Sequence, residues 1–386
     1  MQIIEVTTPA LAKAFIRVNV ELYTHDPHYI RPLDKDINEV FDPQKNKSFE
    51  LGKACRWLLQ NAQGKFIGRI AAFIHPKYTN KGDEQPTGCL GFFDCIDNQE
   101  AANLLFDTAK NWLANHGMEA MDGPVNFGNR DRWWGLLIEG FYPPLFGMNY
   151  NYPYYKRLFE QYGFQVFFNQ VCFSRQVANP LSKRFYDGHA KIAARKGFSA
   201  RYVDKKQLEK FAIDFCTVYN KAWASHEGNK EMEPAQAIKI FKTMKPVMDE
   251  KLVWFAYYND EPVALYVNLP DLNQIFKHLK GQWNLWAKLK FVWFKWRGAC
   301  TRFTGIIFGI VPRFQGMGVD YFMIVEAAKV IQPLGKYTET ELQWQGDFNP
   351  KMLNISKNLE FTPSRKLATY RYLFDRSKPF KRHPIL

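Results

Sequence analysis

Hydrophobic positions along this chain change period from segment to segment, and the clearest change lies near residue 310. Gly305–Val311 (GIIFGIV) is a short apolar run rich in β-branched residues and bounded by turn formers, the pattern of a buried strand. Pro312 breaks it, and Arg313-Phe314-Gln315-Gly316-Met317-Gly318 makes a glycine-bearing loop. Val319, Met323, Ala327 and Val330 then recur at helical spacing, with Phe322 beside them. A strand, a glycine loop and a helix start form a phosphate cradle. Glycine lets the backbone come close, and the first amides and the helix dipole supply positive potential. A Walker loop would need Gly-Lys-Ser/Thr, which is absent, and a dinucleotide fingerprint would need glycine where Tyr321 stands.

The same reading predicts elements elsewhere. An edge strand is expected over Ile3–Val6 and a helix from about Pro9 to Leu22. Ala54–Gln60 and Phe66–Ile74 alternate around Asn61-Ala62-Gln63-Gly64, a hairpin signal. Cys89–Ile96 is the next strand, and Asp97-Asn98-Gln99-Glu100 opens a helix lined by Leu105, Ala109 and Trp112. Ser174–Arg195 is polar and basic, a linker or connecting helix. Leu208, Phe211, Phe215, Val218 and Ala222 mark a further helix, followed by one over Pro234–Asp249. A hairpin pairs Leu252–Tyr258 with Pro262–Leu269, and closing strands fall at Thr338–Gln345 and Ala368–Phe374.

Composition narrows the class. At 386 residues two domains are expected. A net charge of +14 favours an anionic partner: coenzyme A, nucleic acid or an anionic membrane. The six cysteines are scattered, with no CxxC pair, so neither a disulfide framework nor a metal site is expected. His25-Asp26-Pro27-His28 reads as a turn around Pro27. The N-terminus lacks a basic, apolar leader and no apolar run reaches transmembrane length, so a cytoplasmic protein is expected, with a peripheral place at a membrane left open.

Arg313-x-x-Gly316-x-Gly318 resembles the pyrophosphate loop of the GCN5-related N-acetyltransferases, and a second stretch matches that family downstream. There a strand is followed by Asn349, then Met352, Leu353 and Ile355, then Phe361 in the family's register. Two residues depart from it: Glu360 replaces a usual glycine, and Ser356 stands where many members carry the tyrosine that reprotonates the leaving thiolate. The whole chain resembles tandem bacterial acyltransferases. The implied fold is α/β (α+β): two tandem acyl-CoA N-acyltransferase-like domains, each a mixed, mostly antiparallel sheet flanked by helices. The expected boundaries are a degenerate domain over 1–175 without a pyrophosphate loop, a linker over 176–197, an acyl-CoA-binding domain over 198–375, and a basic tail over 376–386. Gly163-Phe164 ends the first half as Phe361 nearly ends the second, which suggests a divergent internal duplication; two unrelated α/β domains are the alternative.

The resemblance implies acetyl-CoA or a longer acyl-CoA as co-substrate and an amine acceptor of unspecified kind. Its pyrophosphate would sit on the amides of Arg313, Phe314, Gln315, Gly316, Met317 and Gly318, and its pantetheine would run beside Phe308, Gly309, Ile310 and Val311, with Asn349 on the cofactor side. A backbone N–H near Gly309–Val311 would hold the oxyanion. Glu341 is the first candidate for the base, with Glu339 on its face and Asp347 beyond. Ser356 is a weak acid, for which Tyr321, Tyr370 or water could substitute. Trp223, His226 and Glu227 are expected to border the acceptor. Two other readings stay open: a CoA- or lipid-binding protein without turnover, and an aminoacyl-tRNA-dependent transferase.

Residues 273–302 are unusual for this fold. Gln274–Arg297 interleaves seven Phe and Trp residues with six Lys and Arg residues and carries no acidic residue. Such a segment suits an anionic membrane surface, or a helical cover whose lysines stay wet; nucleic acid is disfavoured, because no recognised module accompanies it.

Overall fold

The computed structural model describes residues 1–128, 130–223 and 231–386. The first half runs β1 (Gln2–Glu5), α1 (Pro9–Leu22), α2 (Asp34–Val40), β2 (Lys53–Gln60), β3 (Phe66–Ile74), β4 (Thr87–Cys95), α3 (Gln99–Asn115), β5 (Ala120–Gly123), β6 (Leu136–Glu139), α4 (Tyr154–Tyr162) and β7 (Gln165–Gln176). The second half runs α5 (Lys183–Ala193), β8 (Phe198–Tyr202), α6 (Leu208–Trp223), α7 (Pro234–Met244), β9 (Val253–Tyr258) and β10 (Glu261–Pro270). It continues with α8 (Asn273–Phe276), α9 (Leu285–Trp296), β11 (Arg302–Ile310), α10 (Val319–Ile331), β12 (Glu339–Gly346), α11 (Pro350–Asn358) and β13 (Thr362–Leu373).

Among the described residues all thirteen strands belong to one mixed sheet, in the order β1-β2-β3-β4-β5-β13-β7-β12-β11-β10-β9-β8, with β6 pairing β13 off that path. The two halves repeat one plan: antiparallel strands, then a parallel pair. The pairs are β4 with β5 and β11 with β12. The last strands are exchanged. β7 closes the first half in sequence but pairs with β12 of the second, while β13 closes the second and pairs with β5 of the first. β7 and β13 then pair with each other, joining both halves into one sheet.

Helices cover both faces. In the first half α3 and α4 bury Leu105, Phe106, Leu158 and Phe159 in one core, while Phe15 and Val18 of α1 pack on the other face. In the second, α6 and α7 contribute Phe211, Phe215 and Phe241 to one face, and α10 contributes Val319, Met323 and Ala327 to the other. Each fully buried large apolar side chain adds about 1.5–3 kcal/mol.

The seam holds a buried ion network. Arg365 on β13 donates to both oxygens of Glu341 on β12, at 2.7 and 3.0 Å. Arg302 at the start of β11 pairs with Asp271 at 2.7 Å and reaches Glu341 at 3.4 Å. Both guanidiniums also donate to the Pro143 carbonyl of the first half. Buried charges persist only when paired and hydrogen-bonded, and this cluster satisfies that condition across the joint.

Candidate active site

One extra residue on β11 builds the site. β10 and β11 pair from Ala264↔Ile310 to Val267↔Ile307, after which Asn268 meets Gly305, so Ile306 is the unpaired residue of a bulge. A bulge bends its strand and ends pairing locally. β12 accordingly pairs with β11 only from Arg302↔Glu339 to Gly305↔Leu342, and the parallel strands part there. A cavity of about 160 Å³ opens in the gap, walled by Ile306, Phe308, Leu342, Met352, Ile355 and Leu359, with Gln343, Gln345 and Ser356 as polar members. A second, apolar pocket of about 70 Å³ lies among α5, α10 and the sheet, lined by Phe185, Phe303, Ile324, Ala328 and Ile331. Tyr266, Leu359 and Phe361 line both, so the two are neighbours.

The glycine loop follows directly. Gly316 and Gly318 take φ of 72° and 96°, a left-handed backbone that side chains oppose. Gly318 is the N-cap of α10 and offers no side-chain cap. The amides of Gly316, Met317 and Gly318 have no acceptor among the described residues, and Arg313 stands exposed beside them. Asp320 in the first turn is acidic, and burial raises its pKa from the ordinary carboxylate value.

Phe308 and Ser356 lie in the cavity wall, and Gly309, Ile310 and Val311 lead from it to the loop. Asn349 is the N-cap of α11, its side chain accepting from the Met352 amide at 3.2 Å. Asp347 is engaged by the Asn169 backbone amide at 3.1 Å, the Asn169 side chain at 2.8 Å and Arg382 at 2.7 Å. Glu341 is 1% exposed and both its oxygens are taken by arginine, so its surroundings do not suit the proton abstraction expected of it. Tyr370 donates to Glu160 at 3.0 Å within the first half, and Tyr321 packs under Arg184 and against Phe185. Neither lines the cavity. His226 and Glu227 lie outside the described residues, as does the side chain of Trp223, whose backbone closes α6.

Two cavity residues escaped the sequence reading. The Tyr266 ring packs on Phe308 at 5.7 Å, and burial pushes its phenol up to about 12. Gln345 donates to Ser356 Oγ at 2.6 Å, while its Oε1 is buried and has no partner among the described residues. A bulge on β12, between Leu342 and Gln345, brings that amide to the cavity, and alternation of residues along the strand gives no hint of it.

The first half repeats the bulge without the cradle. Arg69↔Asp94 is followed by Ala71↔Gly91, leaving an extra residue in β4 at Phe92, whose φ is 49°. β5 pairs with β4 only from Thr87↔Ala120 to Cys89↔Asp122. Polar groups in that gap satisfy one another: Asp94 takes Arg69 at 2.6 Å, Asn19 at 3.0 Å and Tyr155 at 3.1 Å. The start of α3 is capped from within, since Asn98 accepts from the Ala101 amide at 2.8 Å and Asp97 pairs with Arg157.

No family model matches this chain. A tandem GNAT protein from the clavulanic acid biosynthesis pathway superposes with a TM-score of 0.53 at 9% identity, over 98% of this chain and 99% of that one. The fold is a tandem GCN5-related acetyltransferase fold. A GCN5-related glucosamine N-acetyltransferase region of a fungal multi-domain GH3 β-N-acetylglucosaminidase shares it, with a TM-score of 0.54 at 10% identity; 96% of this chain is covered, but only 38% of that protein. By sequence, this tandem chain is similar to a bacterial ceramide synthase of Caulobacter vibrioides (strain NA1000 / CB15N), 25% identical over 376 residues that cover 96% of this chain and 97% of the relative. It is also similar to protein YghO of Escherichia coli (strain K12), 25% identical over 374 residues, covering 93% and 92%.

Proposed function

We propose that this protein is an acyl-CoA-dependent N-acyltransferase that joins a long acyl chain to the amine of a sphingoid-type base. The observation that carries the reading is the parting of β11 and β12 at the Ile306 bulge, immediately before a glycine loop with unengaged amides. The likeness to a bacterial ceramide synthase supports the acceptor class, since a ceramide is a sphingoid base bearing a fatty amide. The largely apolar walls of the two adjoining pockets suit hydrocarbon on both substrates.

In this reading the amides of Gly316, Met317 and Gly318 and the first turn of α10 hold the pyrophosphate. Val311 donates its N–H to Val263 on the β10 side, so strand alternation turns the N–H groups of Phe308 and Ile310 to the edge that β12 leaves free. Those two amides pair with the pantetheine and hold the oxyanion. The amine attacks the thioester carbon, and the C–S bond breaks as the tetrahedral intermediate collapses to amide and thiolate. Among the described residues that line the pockets there is no carboxylate or histidine. Desolvation there favours the neutral amine, Gln345 Oε1 accepts one of its N–H bonds, and the proton leaves to water. Tyr266, its hydroxyl kept protonated by burial, donates to the departing thiolate and takes a proton back from water, so that the net transfer is one proton from amine to thiol.

The test is thiol release from long-chain acyl-CoA in the presence of a sphingoid base, with acetyl-CoA and acceptor-free reactions as controls. Release that requires both long-chain substrates supports the proposal. Acyl-CoA binding without release under any of these conditions would make the chain a binding protein on this fold.

A further inference from the structure

We infer that α9 is a docking helix that seats this protein on an anionic membrane surface. The inference rests on the geometry of the helix and is independent of the acyl-CoA reading. At about 100° per residue, Leu285, Leu289, Val292 and Trp296 fall on one stripe, with Trp286 and Trp293 along its border. A stripe of this kind ordinarily faces a core. Here it faces outward: Leu285 is 70% exposed, Trp286 73%, Val292 64% and Trp296 82%. The helix is held to the body by a different arc, where Ala287 and Phe291 pack on Leu33, Ile275 and Phe276. It therefore carries two apolar faces, one of them unpartnered.

Charge selects the occupant. Lys288 flanks the outward stripe on one side and Lys290 on the other, while Lys295 turns back to donate to the Pro246 carbonyl; the Arg297 guanidinium lies over Trp293 at 5.1 Å. No acidic residue occurs anywhere in residues 273–302. Lysines at the margins of an exposed apolar stripe can reach lipid phosphates while the stripe enters the acyl region, and tryptophan favours that interface. A second copy of the chain would instead set lysines against lysines. The 12-residue helix is about 18 Å long, so it lies along a bilayer; among the described residues no helix is long and apolar enough to cross one. Asn284 caps it by accepting from the Ala287 amide at 2.9 Å, so the face is formed before lipid arrives.

The full chain is mixed with phosphatidylcholine vesicles, with and without phosphatidylglycerol, and sedimented. Association is expected only with phosphatidylglycerol, weakening as salt rises, together with a blue shift of tryptophan emission. Lys288→Gln with Lys290→Gln should lower partitioning on the order of 20- to 30-fold, about fivefold for each lysine. Trp286→Ser with Trp296→Ser should abolish both signals at an unchanged melting temperature, because both rings are already in water. The inference is overturned if the chain ignores phosphatidylglycerol vesicles, or if either double variant sediments like the parent. It is overturned equally if light scattering shows a dimer that Trp286→Ser with Trp296→Ser dissolves while vesicles remain unbound.

Discussion

Arg365 is 0% and Arg302 10% exposed at the side chain, and Glu341 is the carboxylate they share. Glu341→Gln would leave the Arg365 guanidinium without a countercharge in a buried seam, while Arg302 keeps Asp271; breaking such a pair typically costs about 3–5 kcal/mol. Chemical denaturation should show a loss of that size, with acyl transfer by the folded fraction largely kept. A variant as stable as the parent but inactive would return the role of base to Glu341. Tyr266 makes the complementary case. Tyr266→Phe removes a hydroxyl and keeps the packing on Phe308, so turnover should fall about 10²-fold with acyl-CoA affinity nearly unchanged; equal turnover in the two proteins would rule out the phenol as the acid. Because Tyr266 is pushed up to about 12 by burial, it stays protonated through neutral and mildly alkaline pH. The rate should therefore rise with pH as the acceptor amine loses its proton, and level off at the amine's own pKa. A rate that rises through the carboxylate range instead would point to an enzyme carboxylate as base.

The pyrophosphate loop can be tested apart from the fold. A Cβ built on Gly316 meets nothing within 4 Å, so a side chain there costs only the strain of a positive φ, about 1–2 kcal/mol. Gly316→Trp should fold, with a slightly lowered melting temperature, and lose coenzyme A binding by calorimetry, since the indole fills the space over the amides. Undiminished affinity in the folded variant would remove the loop from the proposed site. Two features drawn from the sequence are used differently in the fold. Asn349 keeps the family's position yet spends its side chain as a helix cap, and the aromatic, basic segment became a short helix packed on one side only.

At the scale of the whole molecule, exchanged strands make the halves interdependent. A chain ending at Gln176 would carry β7 without β12 or β13, and the remaining chain would carry β12 and β13 without β7 between them. Long unpaired edges favour aggregation. Residues 1–176 and 177–386 made separately should therefore be insoluble or unfolded by circular dichroism, and co-expression should recover a soluble pair. Two halves that each fold alone would mean that the shared sheet contributes little to stability.

Local features of this protein were legible in its sequence because short-range physics decides them. Pro9–Leu22 is a helix at the predicted bounds, the Phe66–Ile74 strand lies where alternation placed it, and Gly316 and Gly318 form the loop their lack of a Cβ suggested. The likeness of the two halves could also be anticipated, from the recurrence of strand, helix and a closing phenylalanine, Phe164 and Phe361. Their joining could not: which strand lies beside β7 depends on residues about two hundred positions away, and no periodicity encodes that choice. The same non-local neighbours turned Glu341 into an ion-pair centre, brought Gln345 to the cavity through a bulge, and set Tyr266 against Phe308. A side chain's type limits what chemistry it can do, but its partners, burial and direction follow from packing, which only the tertiary structure decides.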